Sequence, residues 1–186
     1  MENWMIWVGL GLVAVFVIGL YNRIVSLVQR RKNAFSDIDV QLKQRSDLIP
    51  SLVDTVKGYA SHEKGVFERV TEARAAVGKS SGIDGRARAE GALGAAVMGL
   101  FAVVENYPQL KADGSFQKLQ AELSDLENKI AAARRFFNNA TSEYNAAIAQ
   151  FPAVLIARMF GFREEGFFEL DAAEKDAVKT PPKVSF

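Results

Sequence analysis

The chain has 186 residues, 49% hydrophobic and 24% charged, enough for one domain with a real core and an ordinary globular balance. Its formal net charge of +1 gives no global field to recruit nucleic acid, so no nucleic-acid partner is expected. With no cysteine and one histidine, disulfides, thiolate metal sites and cysteine nucleophiles are excluded.

The first element is WMIWVGLGLVAVFVIGLY, Trp4 to Tyr21, and no residue from Asn3 to Asn22 is charged. About 20 helical residues at about 1.5 Å each cross a hydrocarbon layer of about 30 Å. Trp4 and Trp7 sit at one end and Tyr21 at the other, where aromatic belts lie, with Gly11 and Phe16 between them. A cleaved signal peptide would want a basic start and a small-x-small cleavage site. Here Glu2 stands at the start without Lys or Arg, and Tyr21-Asn22-Arg23 is no cleavage site. The segment 1–22 is therefore expected to be a retained transmembrane anchor, the bland rival being a buried core helix. Arg23, Arg30, Arg31 and Lys32 follow the span and nothing basic but the terminal amine precedes it. The positive-inside rule then puts a short N-terminus outside and the bulk in the cytoplasm. The same basic run also reads as a solvated helix face.

No helix breaker separates Tyr21 from Phe35, so the anchor is predicted to run into the next helix, to about Tyr59. Phe35, Ile38, Leu42, Ile49, Leu52, Val56 and Tyr59 recur in steps of three and four, the stripe of a helix packed on other helices, with Arg45 in the one gap. Lys43, Gln44, Asp47, Asp54 and Lys57 fall off that stripe and can face water. Pro50 lacks an amide donor and crowds the preceding turn, which predicts a kink or break near Leu48–Pro50. Ser61 is in place to cap a second helix, whose face is Val66, Phe67, Val70, Ala73 and Val77 and which ends at Gly78. GKSSGIDG reads as a loop by composition. Gly78-Lys79-Ser80 lacks the earlier glycine of a phosphate-binding loop, because Ala73 holds its place, and follows a helix rather than a strand.

A third helix is predicted from near Asp84. Ala87, Gly91, Ala95 and Gly99 form a ridge of small residues that lets two backbones approach. The uncharged run Gly91–Val104 is too short to span a bilayer and suits a helix buried inside a bundle. Pro108 closes it. In the fourth helix Phe116, Leu123, Ile130, Phe137, Tyr144 and Phe151 repeat every seven residues, and Leu119, Leu126, Ala133, Ala140 and Ala147 interleave. It starts with Ser115 as a cap and runs about 36 residues, or about 54 Å. Pro152 interrupts it, and Ala153–Phe160 adds a turn or two. Two long rods with two shorter helices between them make an antiparallel four-helix bundle over 23–160. In the tail, 161–186, Phe167 and Phe168 either pack back or form a peptide that a partner reads. For Val184 to Phe186 the two readings stand equally.

His62-Glu63 is the one place where an imidazole adjoins a carboxylate, and one histidine does not supply a usual zinc site. Glu63 suits a first helical turn, where a negative charge meets the helix dipole. Arg45 takes a core position. It needs a carboxylate or carbonyl partner from another helix, or else it snorkels to the surface. Asp37, Asp39 and Asp47 read as solvated. No catalytic, cofactor or metal residue is assigned, and no cofactor is expected.

IDVQLKQRSDLIPSLVDTVKGYASHE strongly resembles the bacterial LemA family. The likeness continues through LFAVVENYPQLKADGSFQKLQAEL, IAAARRFFNNA, EYNAAIAQFP, the GF…FFE segment and the terminal PPKVSF. It covers nearly the whole chain, including YNRIVSLVQRR. One departure is Phe136-Phe137-Asn138, where the family more often shows tyrosines. The resemblance implies a single-pass inner-membrane protein with a helical-bundle domain and no established enzymatic activity. It also implies an association with a membrane-embedded zinc metalloprotease in quality control. Two functions follow as expectations: a protein-interaction module anchored in the lipid bilayer, or a self-assembling membrane scaffold that forms homo-oligomers.

Overall fold

The computed structural model describes residues 3–168. Among these residues every regular element is helical: α1 (Asn3–Lys57), α2 (Lys64–Lys79), α3 (Gly82–Val104), α4 (Pro108–Lys111), α5 (Gly114–Ala149) and α6 (Ala153–Phe160). The chain is all-α with a long apolar N-terminal helix. It divides into two compact units, one made of residues 3–38 and 133–167, the other of 39–132 with Phe168.

The 39–132 unit has one core drawn from five helices. It joins Ile49, Leu52 and Val56 of α1, Val66, Phe67 and Val70 of α2, Leu93, Val97 and Leu100 of α3, Leu110 of α4, and Phe116 and Leu123 of α5. The Phe101 and Phe116 rings meet edge-on with centroids 6.0 Å apart. Of the stripe read from the sequence, Ile49, Leu52 and Val56 supply these contacts; Leu42 is buried outside this cluster, and Phe35 and Ile38 belong to the other unit. Tyr59 lies beyond the end of α1 and is exposed; its hydroxyl donates to Asp113 at 3.1 Å.

Several local expectations are corrected here. Of the kink or break expected near Leu48–Pro50, the break is absent, since α1 continues through Pro50 to Lys57. Ser61 does not cap α2; Glu63 holds that position without a side-chain cap. The eight-residue loop GKSSGIDG shrinks to Ser80 and Ser81, because Gly82 takes a φ of 72° and starts α3 directly. Ser115 lies inside α5, and Asp113 caps it instead, accepting from the Phe116 amide at 2.9 Å. That bond holds the Asp113 carboxyl below the usual carboxylate range, helped by the Tyr59 hydroxyl. At Ala95 and Gly99 the ridge of small residues on α3 is not a close helix contact. A Cβ on Gly99 would meet nothing within 4 Å, and Ala95 is exposed. Nor is α3 buried all round. Leu93, Val97, Leu100 and Val104 face the core, whereas Met98 on the other side is 68% exposed. The residues that looked like a seam are the ones the larger side chains turn away from the core.

The other unit joins the first part of α1 to the end of α5 and to α6. Phe35 packs on Phe137 with centroids 5.7 Å apart. Ile24 sits with Tyr144, Ile148, Ile156 and Ala157 in a second core, against which Val17, Leu20 and Tyr21 also pack. Gly161 ends α6 with a φ of 75°, a conformation that glycine adopts without strain. The Phe162 amide bonds back to the Ala157 carbonyl at 2.9 Å.

Candidate functional site

The stripe of α1 is apolar except at Arg45, so any polar chemistry in the 39–132 core starts there. The guanidinium is buried rather than snorkelled, and it meets both kinds of acceptor. Nη1 donates to Oε1 of Glu127 on α5 at 2.7 Å. Nη2 donates to the Glu90 carboxylate and, at 3.2 Å, to the Glu90 carbonyl on α3. Arg86 extends the chain, lying 3.2 Å from Asp39 and 3.7 Å from the far oxygen of Glu90. Three carboxylates thus alternate with two guanidinium groups, Asp39–Arg86–Glu90–Arg45–Glu127, across α1, α3 and α5. Asp39 is half-buried in this chain and not simply solvated.

Arg45 and Glu90 are both 5% exposed. Taking such a pair out of water costs several kcal/mol per ion, roughly, and their attraction returns it only with good geometry. Burial pushes the Glu90 carboxyl up, against the opposing pull of Arg45 and Arg86. Burial alone would lower Arg45, but Glu127 and Glu90 together raise it, so it stays charged. Arg45 Nε and the far Glu90 oxygen make no hydrogen bond within the described residues. The arrangement clamps three helices together. It presents no nucleophile and no open coordination edge.

A second polar contact explains why Pro50 is tolerated. A proline inside a helix leaves the carbonyl four residues earlier without its donor. That carbonyl belongs to Ser46, and Arg74 of α2 donates to it from Nε at 2.9 Å.

In the other unit Arg31 does similar work. It donates to the Thr141 hydroxyl at 3.1 Å and to the Gly166 carbonyl at 3.1 Å, lies 3.2 Å from Glu165, and covers the Phe137 ring at 4.9 Å. Tyr144 donates to the Arg163 carbonyl at 2.8 Å, and Asn145 pairs with the Glu165 backbone at 2.9 and 3.0 Å. Residues 163–166 are therefore strapped onto α1 and α5. Burial and the nearby Glu165 charge push the Tyr144 hydroxyl up.

The sequence profile of the LemA family matches residues 34–186. The chain belongs to the LemA family. It is 27% identical over 187 residues to the magnetosome protein MamQ of Magnetospirillum gryphiswaldense, covering 87% of this chain and 67% of that one. It is 26% identical to magnetosome protein MamQ 2 of Paramagnetospirillum magneticum with the same coverage. It is 24% identical to Protein LemA of Metamycoplasma hominis over 92% of this chain and 78% of that one.

The remaining predicted residues of this LemA-family chain are spread along it. Trp4, Trp7 and Phe16 are exposed, and Gly11 has nothing within 4 Å of a Cβ position. None of the most apolar eighteen-residue window of α1 is buried, which makes it a candidate membrane span. Tyr21 is half-buried, its ring 4.9 Å from Phe160 and 5.9 Å from Phe162. Of the basic run, Arg23 and Lys32 are exposed and Arg30 pairs with Glu143 at 2.7 Å. Arg31 is no solvated face residue. Asp47 is exposed and pairs with Lys43 at 2.9 Å. His62 is exposed, and Glu63 lies 3.5 Å from the Tyr107 hydroxyl. Among the described residues no three His, Asp or Glu side chains converge on a metal position. Phe168 is buried and Phe167 is 40% exposed, while Phe186 lies outside the described residues.

Sequence reading passed over Glu90, Glu127, Arg86 and Arg74. The i, i+4 spacing of Arg86 and Glu90 is the one local signal that could have found part of the network.

Proposed function

We propose that this protein is a membrane-anchored interaction module whose helical domain recruits a protein partner at the bacterial inner membrane. The observation that carries the reading is α1 itself. One helix of 55 residues is bare and apolar at its start and carries core residues farther on, without a break between. A domain rooted in this way in its anchor stays close to the bilayer, where membrane proteins and their clients are met. The shared core of α1, α2, α3 and α5 supports reading these helices as an antiparallel four-helix bundle. The charges at Arg23, Arg30, Arg31 and Lys32 support a short outer N-terminus and a cytoplasmic domain. A membrane-embedded zinc protease is the partner class that the family resemblance favours. The polar clusters described above are structural clamps, which fits a protein that acts by binding.

Proximity labelling in cells, with the label fused after Phe186, tests partner and side together. Labelling of cytoplasmic-face membrane proteins, including a zinc protease, is the expected result. Labelling confined to the outer compartment overturns the topology, and labelling no richer than that of an unrelated anchored domain overturns the interaction module.

A second reading is a self-assembling scaffold. It is favoured by the outer face of α3, where Ala92, Ala95 and Met98 stand exposed in an uncharged run. Relatives named as magnetosome proteins support a role as a component of a larger cellular structure. Gentle detergent extraction followed by light scattering decides it. Large homo-oligomers that Met98→Glu disperses support the scaffold, and a monomer rejects it.

A further inference from the structure

α6 is amphipathic in an unusual place. Ile156 and Ala157 are buried against α1, while Phe151 just before the helix is 81% exposed and Met159 is 70% exposed, with Leu155 and Phe160 also more than half exposed. Leu155 and Met159 are four residues apart and share one outward face. A soluble surface does not normally collect large apolar side chains in this way. Arg158 stands exposed beside them.

The position of the contact on α1 says what covers this face. Val17, Leu20, Tyr21, Leu27 and Val28 of α1 pack on the cluster to which α6 gives Ile156 and Ala157 and α5 gives Tyr144 and Ile148. A span beginning at Trp4 uses up about 30 Å of hydrocarbon by about residue 23. The headgroup layer beyond it is about 5–8 Å thick, or about four helical residues. The seam around this cluster therefore starts inside the hydrocarbon, at Val17 about 9 Å short of its edge, and runs out through the headgroups. Tyr21, the aromatic residue at that boundary, is the one that touches Phe160.

We propose that α6 is a second membrane-contacting element, lying in the interface beside the anchor. Leu155, Met159, Phe151 and Phe160 enter the acyl boundary, and Arg158 reaches lipid phosphate with its aliphatic stem buried. The occupant of the exposed face is the same bilayer that α1 crosses, and the inference rests on that anchor reading. Its consequence is that the end of α5 and the strapped segment 163–166 are held against the membrane surface.

The absence of cysteine makes the test direct, because one introduced cysteine is the sole labelling site. The full chain is reconstituted in phosphatidylcholine–phosphatidylglycerol vesicles carrying nitroxide lipids, spin-labelled either shallow or deep in the acyl chain. A small fluorophore is placed on Leu155→Cys, Met159→Cys, Val13→Cys inside the span, or Glu68→Cys on α2. All four side chains are exposed, so the labels do not disturb a core. Shallow nitroxide is expected to quench positions 155 and 159 several-fold more than position 68, with position 13 quenched by the deep label. Quenching at 155 and 159 no greater than at 68, while 13 is quenched, overturns the inference and leaves the anchor standing. In that case cross-linking between Leu155→Cys copies identifies a second chain as the cover. An unquenched position 13 removes the anchor and the inference with it.

Discussion

Arg74 donates from Nε to the carbonyl oxygen of Ser46 at 2.9 Å, and that oxygen is the acceptor from which Pro50 withdraws the helical donor. The two substitutions should therefore be coupled. Arg74→Ala leaves a half-buried carbonyl unpaired and is expected to cost about 1–3 kcal/mol. In a Pro50→Ala background the helix supplies its own donor, so the same change should cost clearly less. Denaturant unfolding of the four proteins of this cycle measures the coupling, and strictly additive losses would show that Arg74 does not rescue the proline.

Arg45 and Glu90 form the buried centre of the ion network. Glu90→Ala strands the Arg45 guanidinium with Glu127 alone and is expected to destabilise by about 3–5 kcal/mol. The paired replacement Arg45→Met with Glu90→Leu removes both charges and should recover most of that loss. Thermal unfolding of single and double variants checks it. A double variant as unstable as Glu90→Ala would mean that the network contributes more than the cost of burying its charges.

Burial raises the Glu90 carboxyl, with Arg45, Arg86 and Glu127 facing it. Above the unfolded-state value the unfolded chain gives up this proton before the folded chain does. The folded state then binds more protons, and stability falls as pH rises from the ordinary carboxylate value through the folded one. Glu90→Gln cannot lose a proton, so the stability gap between wild type and variant should shift against wild type over that window and level off above it. Unfolding midpoints measured from acid to neutral pH report the trend. A gap moving the other way means that the two arginines outweigh burial.

Tyr144 holds the Arg163 carbonyl at 2.8 Å, and the Arg163 side chain is exposed, within reach of protease once the chain is in detergent. Tyr144→Phe removes the hydroxyl while keeping the buried ring. Losing one hydrogen bond of about 0.5–1.5 kcal/mol should raise the local opening about two- to tenfold. Trypsin cleavage after Arg163 is expected to speed up by that factor under native conditions. Unchanged cleavage would assign the hold on this segment to Arg31 and Asn145.

What was legible in the sequence is what a helix decides locally. The seven-residue repeat from Phe116 to Phe151 set out a helix of about 36 residues, and α5 runs from Gly114 to Ala149, which leaves Phe151 beyond its end and exposed. The uncharged run from Asn3 to Asn22 marked the bare part of α1 for the same reason: periodicity and charge along one segment fix its faces before any partner arrives. Cap identity was less legible, because Asp113 rather than Ser115 was closest to the first free amides of α5.

Tertiary packing decided the rest. The sequence placed Arg45 in a core stripe and left open a partner on another helix or a path to the surface. That the partners are Glu90 and Glu127, 45 and 82 residues away, depends on which turns of α3 and α5 come level with it. Pro50 read as a kink or break because its cost is local, whereas its remedy, Arg74, sits on another helix. α6 read as a turn or two after Pro152, and only the tertiary structure set it against Tyr21 and Ile24. Local propensity names the face a helix buries. Which side chain it meets there is chosen by the packing of segments far apart in the chain.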